Sequence, residues 1–183
     1  MENRRNFLKT SAASVVGMSL AAGYRLYGAT PVDTMPLVRH LEQTETYLVR
    51  ENTPITIALS KTRDNLEGMS LCFEELPPSA VIPTHKHLHA DEYFHFITGS
   101  GVVTIEEKEI PFKPGTVAFI PRGMWHSVKN DSFTKAFFSF GFSPAGFEGY
   151  FKEIGTPRGQ TFKPKPAEEL AALAAKYGMI YKK

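Results

Sequence analysis

Residues 85–99 read HKHLHADEYFHFITG and residues 115–130 read GTVAFIPRGMWHSVKN. His85 and His87 are two apart, so on a strand they project from one face, with Cα atoms about 6.6 Å apart. Two imidazoles so placed can converge on one ion at roughly 2.1 Å each. Glu92 follows after four residues and can enter on the next strand; His126 lies 34 residues beyond Glu92 and must arrive from a neighbouring strand. Three neutral imidazoles and one carboxylate leave a divalent ion with a net charge of about +1 and, in octahedral geometry, about two open positions. Open positions are what a reactive site needs and what a closed structural site lacks. The expectation is one divalent ion on His85, His87, Glu92 and His126.

The remaining histidines read differently. His89 breaks the spacing to Glu92 and is expected at the surface. His95 has the opposite parity to Glu92, so on a regular strand it faces out. His40 lies in an amino-terminal arm and carries no signal. Gly99 and Gly115 suit turns that need positive φ or close backbone approach, and Pro121 with Gly123 shapes the turn that presents His126.

Outward from these stretches the pattern stays strand-like, with Pro and Gly punctuation between short runs. The runs are 47–51, 55–61, 69–76, 92–98, 101–107, 117–120, 126–129 and 135–142, with tight turns at Ser100-Gly101 and Lys108-Glu109. Many short strands with no helix between them predict a sandwich or barrel rather than a parallel sheet. Phe94 and Phe96 share the parity of Glu92 and should point inward with it. Phe138, Phe140 and Phe142 form a second alternating row, and Trp125 adjoins His126. These aromatics suit a pocket for a flat substrate and equally suit an ordinary core; polar groups to orient a substrate are few. After Pro144-Ala145-Gly146 a short helix over 147–154 is predicted. A second helix over 167–177 has Glu168 and Glu169 in its first turn and Gly178 as its stop.

Composition narrows the partners. The formal charge is +2, but Arg4, Arg5, Lys9, Arg25 and Glu2 all lie in the first 29 residues. The rest carries 17 basic and 18 acidic side chains, a balance that gives no reason to expect nucleic acid. Cys72 is the only cysteine, which excludes an internal disulfide and an all-thiolate zinc site.

At the amino terminus, Asn3-Arg4-Arg5-Asn6-Phe7-Leu8-Lys9 precedes a mildly apolar run from Ala12 to Ala22. It resembles a twin-arginine export signal, with cleavage open at Ala21, Gly23 or Ala29. The apolar run is too short to span roughly 30 Å of hydrocarbon. The expected division is a signal over 1–29 and one domain over 35–183, its metal motifs at 85–99 and 115–130 and a helical extension at 144–183. The resemblance implies a periplasmic or exported protein with no membrane segment in its mature form.

The spacing His85-x-His87-x4-Glu92-x6-Gly99, then Gly115-x5-Pro121-x-Gly123-x2-His126-x3-Asn130, resembles the paired motifs of the cupin superfamily. The resemblance implies an all-β fold, a double-stranded β-helix or jelly-roll barrel, with a short C-terminal helical extension. Asp91-Glu92-Tyr93-Phe94, the 143–148 stretch and the Glu168–Gly178 helix are similar to single-domain bacterial cupins akin to quercetin dioxygenases. That likeness implies a metal-dependent oxidoreductase of the quercetin 2,3-dioxygenase type acting on a small oxygenated substrate such as a flavonol. His85, His87 and His126 would be ligands, and Glu92 would be ligand and catalytic base. A non-redox lyase, isomerase or decarboxylase on a sugar or organic acid remains open, as does a non-catalytic ligand-binding cupin. The ion is left open among iron, manganese, nickel, copper and zinc, all of which accept imidazole and carboxylate. A homodimer joined through sheet edges, common among cupins, is also left open.

Overall fold

In the computed structural model, alternation decides which side of each strand is buried. On the strand Asp91–Thr98, Glu92, Phe94 and Phe96 are buried while His95 is exposed. The structure describes residues 36–51 and 53–182, so the segment read as an export signal lies outside the described residues. In chain order the strands are β1 Glu45–Arg50, β2 Thr53–Leu59, β3 Leu71–Leu76, β4 Val81–His87, β5 Asp91–Thr98 and β6 Gly101–Ile105. They continue as β7 Lys108–Phe112, β8 Val117–Ile120, β9 His126–Asn130, β10 Ala136–Ser143, β11 Thr156–Pro157 and β12 Met179–Tyr181. The helices are α1 Lys61–Asp64, α2 Gly149–Ile154 and α3 Ala167–Lys176. None of them is long and apolar enough to cross a membrane.

Two antiparallel sheets form the barrel, in the orders β11-β1-β2-β3-β10-β5-β8 and β12-β4-β9-β6-β7. The aromatic ladder lies where β10 runs between β3 and β5. Phe138 faces Phe96 and Phe140 faces Phe94 across one strand pair, and Phe96 stacks on Phe112 with ring centroids 3.8 Å apart. Each fully buried phenylalanine contributes about 1.5–3 kcal/mol. Through Phe112 on β7 this row reaches across to the smaller sheet.

Local sequence sets the boundaries. Ser60 caps α1 by accepting from the Arg63 N–H, and Asn65 ends it in the left-handed region at φ 55°. Arg39 and Arg63 both reach the Asp64 carboxylate, at 2.9 Å each. Gly99 turns β5 into β6 at φ 84°, and a Cβ there would lie 2.6 Å from the Ala136 Cα. No other residue fits both conditions.

Several expectations need correction. Lys61 does not extend β2; it begins α1, a helical turn in the gap between the runs read at 55–61 and 69–76. The turn placed at Lys108-Glu109 falls at Glu106-Glu107, with Glu106 at φ 54°, and Lys108 and Glu109 open β7. The segment from Glu106 to Glu109 holds no Gly, Asn or Asp, the residues that mark a hairpin turn, so composition does not fix its position. The turn placed at Ser100-Gly101 lies one residue earlier, because Gly101 already pairs with Phe112. The extension after Ser143 is not purely helical: β11 pairs with β1 and β12 pairs with β4. Strands of two and three residues are too short to show a period.

Candidate metal centre

His85 and His87 close β4 with buried side chains, and His126 opens β9. Antiparallel pairing sets His85 directly opposite His126, and β5 brings in Glu92 from the other sheet. One donor atom from each of His85, His87, Glu92 and His126 lies within 4.8 Å of every other, and all four residues are buried. Ligands about 2.1 Å from a common ion are separated by distances of this order. The four residues expected to converge do converge. His89 and His95 are exposed, and so is His40.

Backbone carbonyls orient two of the rings. His85 Nδ1–H donates to Pro83 O at 2.7 Å and His126 Nδ1–H to Met124 O at 3.1 Å, which turns each Nε2 toward the centre. His87 is held otherwise. Its Nδ1 is buried with no hydrogen-bond partner among the described residues, and its ring packs edge-on against Phe147 at 4.2 Å and Phe142 at 5.1 Å. Aromatic packing takes the place of a carbonyl there.

Glu92 Oε2 lies 2.7 Å from His126 Nε2 and 3.1 Å from His87 Nε2. Burial works against its charge, but His87 and His126 outweigh burial and hold the carboxyl below its usual range. For His126, burial disfavours the cation and the Glu92 carboxylate overcomes it, raising the pKa. His85 goes the other way, down to about 3, through burial and then the charge of His126. The set therefore offers an ionised carboxylate and a neutral imidazole with Nε2 free, which is the donor chemistry a divalent transition metal takes.

The loop carrying His126 is fixed to the other ligand segments. Gly123 N–H donates to His87 O at 2.7 Å, and Arg122 grips Asp91, next to Glu92, with its Nε and Nη2 at 3.0 Å each. That guanidinium draws the Asp91 carboxyl down to about 2. Asn130, at the motif's far end, is fully buried. Its Nδ2 donates to Leu76 O, Pro77 O and Thr134 O at 2.8–3.0 Å, tying β9 to the loops beside it.

The centre opens on a cavity of about 60 Å³, with His85, His87 and Glu92 in its wall. Phe94, Phe140 and Phe142 line it as their parity implied, joined by Phe147 and Phe151. Phe96 and Phe138 point inward but belong to the core below it. Trp125 does not line it; Lys86 Nζ sits 4.5 Å above its ring instead. The expected scarcity of polar groups is also wrong, because Arg50, Glu74, Tyr150 and Tyr181 line the same cavity. Glu74 was legible as an inward position by its parity with Cys72 and Leu76. Arg50 and the two tyrosines sit at strand or helix ends, where parity says nothing.

Residues 72–138 match the cupin domain family model. Two curated relatives match: an oxalate-binding protein of Thermotoga maritima, 36% identical over 56 residues (31% of this chain, 46% of the relative), and the tetracenomycin polyketide synthase protein TcmJ of Streptomyces glaucescens, 31% identical over 70 residues (38% and 47%). The matches thus span about half the length of those relatives. Among solved structures, KdgF from Halomonas superposes with a TM-score of 0.56 at 15% identity over 63% of this chain and 99% of its own. A predicted oxalate decarboxylase of Thermotoga maritima gives 0.51 at 24% identity over 59% and 99%. Sequence model and architecture agree that this chain has the double-stranded β-helix fold of a cupin, with its cupin domain match at residues 72–138.

Proposed function

We propose that the chain is a metal-dependent cupin enzyme, an oxidoreductase of the quercetin 2,3-dioxygenase-like type acting on a small oxygenated substrate. One observation carries this reading: three of the four converging side chains form the wall of a cavity that Phe94, Phe140, Phe142 and Phe147 also line. A divalent ion held by His85, His87, Glu92 and His126 would supply a Lewis-acidic point that makes a substrate hydroxyl more acidic. Glu92, kept ionised by its two histidine neighbours, is placed to accept that proton on a carboxylate oxygen. Phe94, Phe140, Phe142 and Phe147 exclude water and strengthen every charge interaction at the centre.

The cavity also limits size. A volume of about 60 Å³ holds roughly four to six waters and is well short of the about 150 Å³ that takes a benzene ring. A three-ring flavonol would require α2 and β12, which line the cavity, to move well outward, and a single ring a smaller movement of the same elements. The same compactness favours a second reading, non-redox chemistry on a small organic acid or simple retention of one. The similarity to an oxalate-binding protein over 56 residues supports it.

Oxygen-electrode assays on metal-loaded protein with single-ring enediols and catechols test the first reading, with uptake as the expected result. Conversion of oxalate or hydroxy acids under nitrogen, without oxygen uptake, would replace it with the second. A ligand recovered unchanged in both atmospheres would make the chain a binding protein. We further propose export by the twin-arginine route, on the Arg4-Arg5 segment. Retention of an Arg4→Lys/Arg5→Lys double variant in the cytoplasm, against export of the unaltered chain, is the fractionation result that supports it.

A further inference from the structure

The inner face of the larger sheet carries a second carboxylate that the metal centre does not use. Glu74 is 3% exposed on β3, and Arg50 Nη2 donates to its Oε1 at 2.6 Å. Arg50 comes from the end of β1 with its side chain 41% exposed, and its Nε also reaches Thr53 Oγ1 at 3.4 Å. The pair lines the same cavity as His85, His87 and Glu92. Stability gives little reason for it, since well-packed apolar residues commonly replace a buried ion pair at no net cost.

Register locates the pair relative to the metal centre. Both β3 and β5 pair with β10, with Glu74 opposite Phe138 and Glu92 opposite Phe142. Strand spacing and rise put the two Cα atoms about 17 Å apart on one face. Less the reach of two long side chains, that distance suits one substituted ring better than a two-carbon acid. Charge then selects the group at the far end. The charged residues lining the cavity, besides the histidines, are Arg50, Glu74 and Glu92, so a second substrate carboxylate would face the Glu74 charge. An uncharged hydroxyl meets no such opposition: it donates to Glu74 and accepts from Arg50.

We propose that Arg50 and Glu74 form a second recognition point, which binds an uncharged hydroxyl at the end of the substrate remote from the metal-facing residues. This rests on the reading of His85, His87, Glu92 and His126 as the metal end. Burial raises the Glu74 carboxyl to about 7 against the opposing pull of Arg50, so the titrations are run above that value, where the accepting carboxylate predominates.

Calorimetric titration of the zinc-loaded full chain with three catechols tests this. The probes are 4-methylcatechol, 4-(hydroxymethyl)catechol and 3,4-dihydroxybenzoate. The hydroxymethyl probe is expected to bind about 10-fold tighter than the methyl probe, as a hydrogen bond to a charged group implies, and the carboxylate probe most weakly. In Glu74→Gln the hydroxymethyl preference should fall to within about 2-fold, and the carboxylate probe should gain about 10-fold as Arg50 loses its counter-charge. Equal affinities for the methyl and hydroxymethyl probes, or a ranking untouched by Glu74→Gln, overturns the proposal. If thermal scans show Glu74→Gln unfolded, Arg50→Gln serves instead, because its side chain is partly in solvent; retained hydroxymethyl preference there is equally fatal. Comparing 4-methylcatechol on zinc-loaded and metal-free protein tests the metal end by itself. Equal binding there refutes the metal end while leaving the ranking to be judged separately, and no binding by any probe overturns both.

Discussion

His85 and His126 are cross-strand partners on β4 and β9, with ring centroids 4.3 Å apart. Two candidate ligands separated by 41 positions in sequence are thereby set by one register. A one-residue slip between β4 and β9 would turn one of them to the opposite face. The geometry of the centre is therefore a property of sheet pairing before it is a property of any loop.

The first prediction concerns His126→Ala. Removing one of the four donors should abolish most metal binding while the barrel remains folded, since the aromatic ladder does not depend on it. Elemental analysis beside far-UV circular dichroism checks both halves. Full metal occupancy would refute the assignment of His126.

Glu92→Gln should retain part of the metal and lose turnover by about 100-fold or more, the usual scale of a general base. An amide oxygen can still coordinate but cannot take a proton. Undiminished kcat at equal metal content would remove Glu92 from the proton-transfer role.

Phe147→Ala tests whether packing substitutes for a hydrogen bond at His87. Lost support for an orienting ring contact should weaken metal affinity by about 10-fold, measured by competition with a chelator. Unchanged affinity would mean that the ring needs no such support.

Asp64 gives one contribution to the pH dependence of stability, beside those of Asp91 and Glu92. Burial raises its pKa, but the hydrogen bonds from Arg63 and Arg39 prevail and lower it well below the usual value. A depressed folded-state pKa gives stability that is present above the unfolded-state value of about 4 and is lost as pH falls below it. Urea melts should therefore show falling stability from about pH 4 downward, and Asp64→Asn should flatten that limb at a cost of about 3 kcal/mol near neutrality. An unchanged acid limb in the variant would place the dependence elsewhere.

Asn130→Ala should cost about 1–3 kcal/mol, because Leu76 O loses the buried amide donor while Pro77 O and Thr134 O keep the Ala80 N–H and the Ser132 hydroxyl. A thermal shift within error of zero would show that water replaces the amide freely.

Much of this architecture was readable beforehand because its determinants are periodic. The parity of Glu92, Phe94 and Phe96 gives their side of the sheet, and the spacing from His85 to Asn130 requires the candidate ligands to come from different strands, which are β4, β5 and β9. What escaped reading has no period. Val81–His87 was not read as one strand, since Pro83 and Thr84 interrupt its apolar pattern. Lys108–Phe112 is mostly exposed and so lacks the alternation that marks a half-buried strand. The Arg50–Glu74 pair joins a strand end to a strand middle 24 residues away, a contact that neither residue's neighbours announce.

The three residues of β12 lie alongside the ligand strand, Met179 across from His87 and Tyr181 across from His85. Met179 and Tyr181 also belong to the cavity wall. A protease nick after Gly178 would thus strip the outer rail from the strand that carries two donors and unseal the chamber beside them, leaving the aromatic ladder untouched. Loss of cargo without loss of fold would be the mark of such clipping in any aged preparation of this protein.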